Sequence, residues 1–239
     1  MIMTEDQKIL EEFLSLGMSR PDEVFEKFMT LPNAQRHEYL GYTYCIYVPG
    51  KRPDRVLLTA HADTVFCLKG RHRMKCEVGK YTSLEPDDGI GADDRAGCAI
   101  LWQLRDSGHS LLITNDEEIG CKGALMIFDR NQKLFDELNS HSYILEFDRR
   151  HAKDYKVYDL PVTEEFKRFI EENTGFTEAD KRSSTDIRHL CEKVCGANLS
   201  VGYYYEHTPK EYLVYDEWLN TLNTARTFLA KSQPDFPML

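Results

Sequence analysis

A chain of 239 residues with 40 Asp or Glu against 30 Lys or Arg carries a formal charge of −10, and that excess of acid speaks against a nucleic-acid partner, since phosphate binding relies on Lys and Arg. Hydrophobic residues make up 41% and charged residues 29%, an ordinary globular balance, and no stretch approaches the ~20 apolar residues of a membrane helix. The acidic start MIMTEDQKILEEF lacks the basic and apolar regions of a secretory signal, and seven cysteines, an odd number without a CxxC pair, fit reduced thiols, so a cytoplasmic protein with no membrane partner is expected.

In chain order, residues 5–16 and 21–31 read as two amphipathic helices, with Ile9, Leu10, Phe13, Leu14 and Leu16 recurring near the helical period. A break at Ser19-Arg20-Pro21 separates them, and the segment 1–35 is expected to pack on the rest. Tyr42–Val48 predicts a strand and residues 55–60 a buried one. Residues 74–83 predict a hairpin around Gly79, residues 93–106 a helix, and His109–Thr114 a strand. A short helix over 122–129 and a strand over Ser142–Phe147 follow, then helices over 163–173 and 185–194 and a strand over 197–203. The spacing of Cys191 and Cys195 reads as core packing on a helix. The last helix, 216–230, opens at an Asp and carries Trp218, Leu219, Leu222, Ala225 and Leu229 on one face. Strands alternating with helices predict an α/β fold, a three-layer sandwich whose mostly parallel central sheet is flanked by helices. Functional groups in such sheets gather where strands end.

Five motifs fall at such ends. The buried strand before Thr59-Ala-His-Ala-Asp63 presents His61 and then Asp63, placed to fix the second nitrogen of the imidazole or to orient another ligand. Four aspartates, Asp87, Asp88, Asp93 and Asp94, precede an apolar helix. Acids there complement the helix dipole, but four make a negative cluster denser than stability favours unless a cation neutralises part of it. Gly89 and Gly91 suggest unusual backbone angles in that loop. A third strand ends in Asn115-Asp-Glu-Glu118, whose adjacent glutamates cannot point the same way, leaving one for a metal and one for a proton, or both for solvent. A fourth ends in Glu146-Phe-Asp148, and His207 stands just before a proline in a loop. Two histidines and three carboxylates, one of them shared, suit a pair of zinc ions roughly 3.5–4 Å apart.

The motifs AHADTV, GADDRAG, NDEEIG, EFD and EHTPKE, in that order over most of residues 55–211, resemble those of the two-metal zinc exopeptidases, the family of tripeptidase T, acetylornithine deacetylase and carboxypeptidase G with the related glutamyl aminopeptidases. The resemblance implies a zinc exopeptidase-like fold. It implies His61 and Asp148 as ligands of one zinc, Glu118 and His207 as ligands of the second, and Asp93 as the bridge. It implies Glu117 as general base and Asp63 as the partner of His61. The reaction implied is metal-assisted hydrolysis of an amide in a short peptide. A spare acid, Asp87, Asp88 or Glu206, would read the free α-amine. Manganese and cobalt suit the same nitrogen and oxygen donors as zinc.

Many relatives insert a separate domain between the EFD aspartate and the last histidine. Here the interval from Asp148 to His207 is short, so the expectation is a single catalytic domain over 1–239 without an inserted lid. Ser184-Thr185-Asp186 resembles a family segment beside the substrate pocket, and reads equally as the cap of the helix that follows. Two alternatives to an aminopeptidase or dipeptidase stand. A deacylase of N-acyl amino acids would use the same metals and base without an amine-binding acid. A non-catalytic metal-binding homologue is the other, though the base and all five ligands are present. Oligomeric state and side-chain preference are not written in the sequence.

Overall fold

The computed structural model describes residues 3–19, 21–67, 70–85, 87–179 and 184–239, so Arg20 of the predicted break lies outside the described residues. Two helices open the chain, α1 (Glu5–Leu14), capped by the Thr4 side chain on the Gln7 N–H, and α2 (Asp22–Met29). Then come β1 (Gln35–Tyr39), β2 (Tyr42–Val48), β3 (Leu57–His61) and a hairpin of β4 (Met74–Glu77) and β5 (Lys80–Ser83). Next are α3 (Ala92–Gln103), β6 (Ser110–Thr114), α4 (Lys122–Arg130), α5 (Gln132–Leu138) and β7 (Ile144–Arg149). The remainder runs through β8 (Asp154–Lys156), α6 (Glu164–Thr174), β9 (Thr177–Glu178), α7 (Ile187–Leu190), β10 (Gly196–Ser200), β11 (Tyr203–Tyr204), β12 (Tyr212–Val214) and α8 (Tyr215–Leu229).

An eight-stranded sheet in the order β1-β2-β6-β3-β7-β10-β8-β9 forms the middle layer. Its centre, β6-β3-β7-β10, is parallel as expected. The outer pair β8–β9 is parallel as well, while β1–β2, β2–β6 and β10–β8 are antiparallel, so the sheet is mixed with its parallel pairings in the majority. For β1–β2 the cause is a short connection. Leu40 and Gly41, both at positive φ, turn β1 directly into β2, and a turn that tight joins only antiparallel neighbours. A second sheet, β11-β12-β5-β4, extends the predicted hairpin by two strands.

Every residue of β3 and β6 is buried. Their side chains alternate between two cores, as the two-residue period of a strand requires. Ile46, Leu58, Ile113 and Leu145 face one core, with α1, α2, α3, α6 and α8. Tyr47, Leu57, Leu112 and Ile144 face the other, with α4, α5 and α7. The first two helices are stitched to α3, where the Phe28 ring meets Trp102 edge-on at 5.5 Å. Gly97 lets α3 lie close against β7: a Cβ there would stand 1.9 Å from the Phe147 carbonyl oxygen.

Two predicted elements differ. The helix expected over 185–194 is only the four residues Ile187–Leu190, because Cys191 turns extended and the Asn139 side chain accepts the next two backbone N–H groups, of Glu192 and Lys193, at 2.9 Å each. Cys191 and Cys195 therefore do not share a helix, and they pack into different cores. The strand expected over 197–203 is divided between β10 and β11 around Gly202, whose φ is 90°. All seven cysteines are unpaired. Among the described residues no helix is long and apolar enough to cross a membrane.

Candidate metal centre

The parallel centre of the sheet brings three strand ends together. β3 ends in His61, β6 runs into Glu117 and Glu118, and β7 carries Asp148 in its last turn of pleat. Asp93 arrives from the start of α3. Its backbone and that of Asp94 are not helical (ψ of 102° and 43°), so the regular helix begins only after them. The Asp94 carboxylate caps that helix by accepting the Gly97 N–H at 2.9 Å, and its other oxygen accepts the His61 N–H at 3.2 Å.

The expected ligands form two groups that share one residue. His61 Nε2 lies 3.1 Å from Asp93 Oδ1 and 3.4 Å from Asp148 Oδ1. His207 Nε2 lies 3.1 Å from Asp93 Oδ2 and 2.8 Å from Glu118 Oε2. In each group the donor atoms stand within 4.8 Å of one another. The two oxygens of Asp93 thus face different groups. The set of imidazole and carboxylate donors fits a pair of zinc ions. The other oxygen of Glu118 is buried with no hydrogen-bond partner, which adds negative charge that a cation would neutralise. The groups differ in access: the His61 side chain is 1% exposed, that of His207 50%.

Neighbouring residues hold this arrangement. Asp63 Oδ1 lies 3.2 Å from His61 Nδ1, and its two oxygens accept the Glu117 and Glu118 N–H groups at 3.1 Å each. Thr185 donates to Asp148 Oδ2 at 3.1 Å and Tyr203 to Asp148 Oδ1 at 3.2 Å. Glu211 accepts the N–H groups of Gly91 at 2.7 Å and Asp93 at 3.1 Å, clamping the loop that carries the shared aspartate. Gly91 sits at a φ of 64°, and a Cβ on Gly89 would lie 2.6 Å from Glu211 Oε2, so both glycines serve this close approach.

Buried acids crowd the site. Burial, reinforced by Asp148 and Asp186, pushes Glu117 up to about 9. Burial raises Asp148 to about 7 and Asp186 to about 6. It would lower His61, but the carboxyl groups of Asp148, Asp63 and Asp93 outweigh it and hold the imidazole well above its ordinary value. Hydrogen bonds to Asp93 and Glu118 carry His207 up to about 11. Histidines held charged among carboxylates are the electrostatic stand-in for a cation at the same place.

A cleft of about 100 Å³ opens over this centre, lined by Asp93, Glu117, Asp148, Thr185, Glu206 and His207, with Arg149, Arg150, Tyr158, Ser184 and Tyr203. Of the three acids considered for an amine, Glu206 lines it. Asp87 is exposed, and neither Asp87 nor Asp88 is in the lining. Asp186 makes no cap for α7. Its carboxylate is buried below the cleft and accepts from the Thr114 hydroxyl. Sequence reasoning missed Tyr203, Glu211 and the two arginines. The arginines were the findable ones, since they follow the strand-ending Asp148 directly.

No protein-family model and no curated protein sequence matches the chain. Solved structures do match. The aminopeptidase PepT from Bacillus cereus is 13% identical with a TM-score of 0.70, over 95% of this chain and 98% of that one. A tripeptidase from Staphylococcus aureus is 13% identical with a TM-score of 0.70, over 96% and 99%. An aminopeptidase from the archaeon Desulfurococcus kamchatkensis is 14% identical with a TM-score of 0.66, over 96% of each chain. The α/β fold implied by the motif resemblance is therefore the fold observed.

Proposed function

We propose that the chain is a two-zinc exopeptidase, an aminopeptidase or dipeptidase acting on short peptides. The observation that carries the reading is the shared aspartate, with Asp93 Oδ1 turned to the His61 group and Oδ2 to the His207 group. His61, Asp93 and Asp148 would hold one ion, and Asp93, Glu118 and His207 the other. Bound zinc lowers the pKa of water toward neutrality and polarises a carbonyl. The likeness of fold to aminopeptidases and a tripeptidase supports peptides as the substrate class.

In this reading Glu117, at the cleft wall beside Asp148 and Thr185, takes a proton from the attacking water and delivers it to the leaving amine. Asp63 holds both the His61 ring and the backbone of Glu117 and Glu118. Thr185 and Tyr203 fix Asp148. Glu206 offers a carboxylate at the cleft for the free α-amine. Residues 1–239 are read as one catalytic unit without an inserted lid, supported by β8, α6, β9, α7, β10 and β11 occupying the interval from Asp148 to His207.

Metal analysis of purified protein is expected to find two zinc equivalents, reduced by His61→Ala or His207→Ala. A panel of dipeptides, tripeptides and their N-acetyl forms is expected to show cleavage of the free-amine set. Cleavage of the acetylated set alone would make the protein a deacylase. Absence of any bound or activating metal would sink the reading.

A further inference from the structure

β1 ends the eight-stranded sheet and pairs with β2 alone, so among the described residues its outer row of backbone N–H and C=O groups has no strand beside it. Free edges are commonly blunted by proline, by charge or by a bulge that twists the strand away. Here the one irregularity spares the edge. His37 pairs with Cys45 and Glu38 with Thr43, so the extra residue, Tyr44, belongs to β2 and β1 runs on regularly. The two faces of β1 differ. Arg36 and Glu38 share one face, where Arg36 Nη2 lies 2.5 Å from Glu26 Oε1 of α2. Gln35, His37 and Tyr39 share the other, where Asn131 Nδ2 lies 3.2 Å from His37 Nδ1 and the Arg130 guanidinium 5.4 Å from the Tyr39 ring centre.

This edge is complementary to itself. Gln35–Tyr39 laid antiparallel on the same residues of a second copy, about a twofold axis at His37, sets Arg36 against Glu38 and Gln35 against Tyr39. The twofold makes each of these pairs twice, and opposite charges directly across a strand pair stabilise it. Residues opposite one another lie on the same face of a sheet, ~4.8 Å apart from strand to strand. Tyr39 of the second copy, 43% exposed in the single chain, therefore stands over Gln35 on the α5 side. A groove of about 530 Å³ opens at that place, lined in part by Gln35, His37, Tyr47, Pro49, Asn131 and Leu134. Leu40, 90% exposed at the hairpin tip, comes level with the partly buried Ala34. An aromatic ring and a leucine that face water in one copy thus meet apolar cover in two.

We infer that β1 is a self-association surface whose occupant is a second copy of this chain, paired antiparallel through Gln35–Tyr39. β1 runs in the direction of β6, since both are antiparallel to β2. Across the twofold, the ends of β6 that lead into Glu117 and Glu118 point opposite ways, and the two metal centres open on opposite sides of one continuous sheet. Pairing neither covers nor completes them, so it is independent of the peptidase reading.

Sedimentation of the full chain is expected to give twice the 27.8 kDa of one copy. Glu38→Arg faces like charges across both pairs and is expected to raise the dimer dissociation constant about 10-fold or more. Tyr39→Ala, which empties the groove of its ring, is expected to weaken the dimer as well. Arg36→Glu combined with Glu38→Arg exchanges the charges and is expected to restore association toward wild type, a rescue that general damage to the strand would not give. A wild type still monomeric at ~100 μM chain overturns the inference. So does a dimer that Glu38→Arg and Tyr39→Ala both leave intact, or a double exchange that associates no better than Glu38→Arg alone.

Discussion

Single residues at this centre do several jobs through opposite atoms. Asp63 steadies the His61 ring with Oδ1 and reaches the backbone of both glutamates with Oδ1 and Oδ2. Glu117 and Glu118, adjacent in sequence, diverge as the sequence requires: Glu118 turns to His207, while Glu117 faces the cleft. If Glu117 is the base, Glu117→Gln keeps the shape but loses the proton acceptor. It is expected to lower kcat by about 10²- to 10⁴-fold with zinc content unchanged, checked by steady-state kinetics beside metal analysis. Unchanged kcat would remove the role. At this scale the sequence was only partly legible. His61, Asp93, Glu118, Asp148 and His207 are chemically conspicuous at strand ends, and they do converge. Tyr203 and Thr185, which brace Asp148 through hydroxyl groups, look in sequence like any buried aromatic and any loop threonine.

Elements place these atoms through parallel register. β3 pairs with β6 on one side and β7 on the other, so their C-terminal ends arrive level. The turn after β6 is held sharply, with Asp116 at a φ of 56° and Cys121 at 54° on either side of Glu117–Glu118. Side chains at such angles cost of order 1 kcal/mol each and persist where surroundings enforce them. The Glu211 clamp is the corresponding device on the α3 side. Glu211→Gln replaces one acceptor oxygen by an NH₂, leaving either the Gly91 or the Asp93 N–H facing a donor. Zinc affinity is expected to fall by about 10- to 100-fold, readable by competition with a chromophoric chelator. Affinity equal to wild type would show the clamp to be idle. The long apolar strands and amphipathic helices were readable because burial imposes a period on them. β1, with the residues QRHEY and no buried position, has no such period. Nor have the two- and three-residue strands β8, β9, β11 and β12.

For the molecule as a whole, acid sensitivity follows from a histidine far from the cleft. His141 is 3% exposed; Nδ1 lies 2.9 Å from the Leu138 carbonyl oxygen and Nε2 2.7 Å from Ser110 Oγ. Burial, helped by Arg55, lowers its pKa from 6.5 to about 4. Below 6.5 the unfolded chain therefore binds a proton that the folded chain refuses. Stability is present above that value and is lost as pH falls toward 4, by about 3 kcal/mol for this group alone. Urea unfolding at a series of pH values is expected to show a shallower acid slope in His141→Gln than in wild type over that window. Identical slopes would dismiss His141 as the cause.

The unequal exposure of the two histidines has a kinetic meaning. His207 is half open to solvent while His61 is sealed behind its strand. On the two-ion reading, the positions share one aspartate but not one doorway. A chelator would strip the His207 position quickly and the His61 position only as fast as the loops around it open. Remetallation would then run in two phases, the open position filling at once and the sealed one only as the loops open, and the history of a preparation, as well as its free zinc, would decide how many ions it carries.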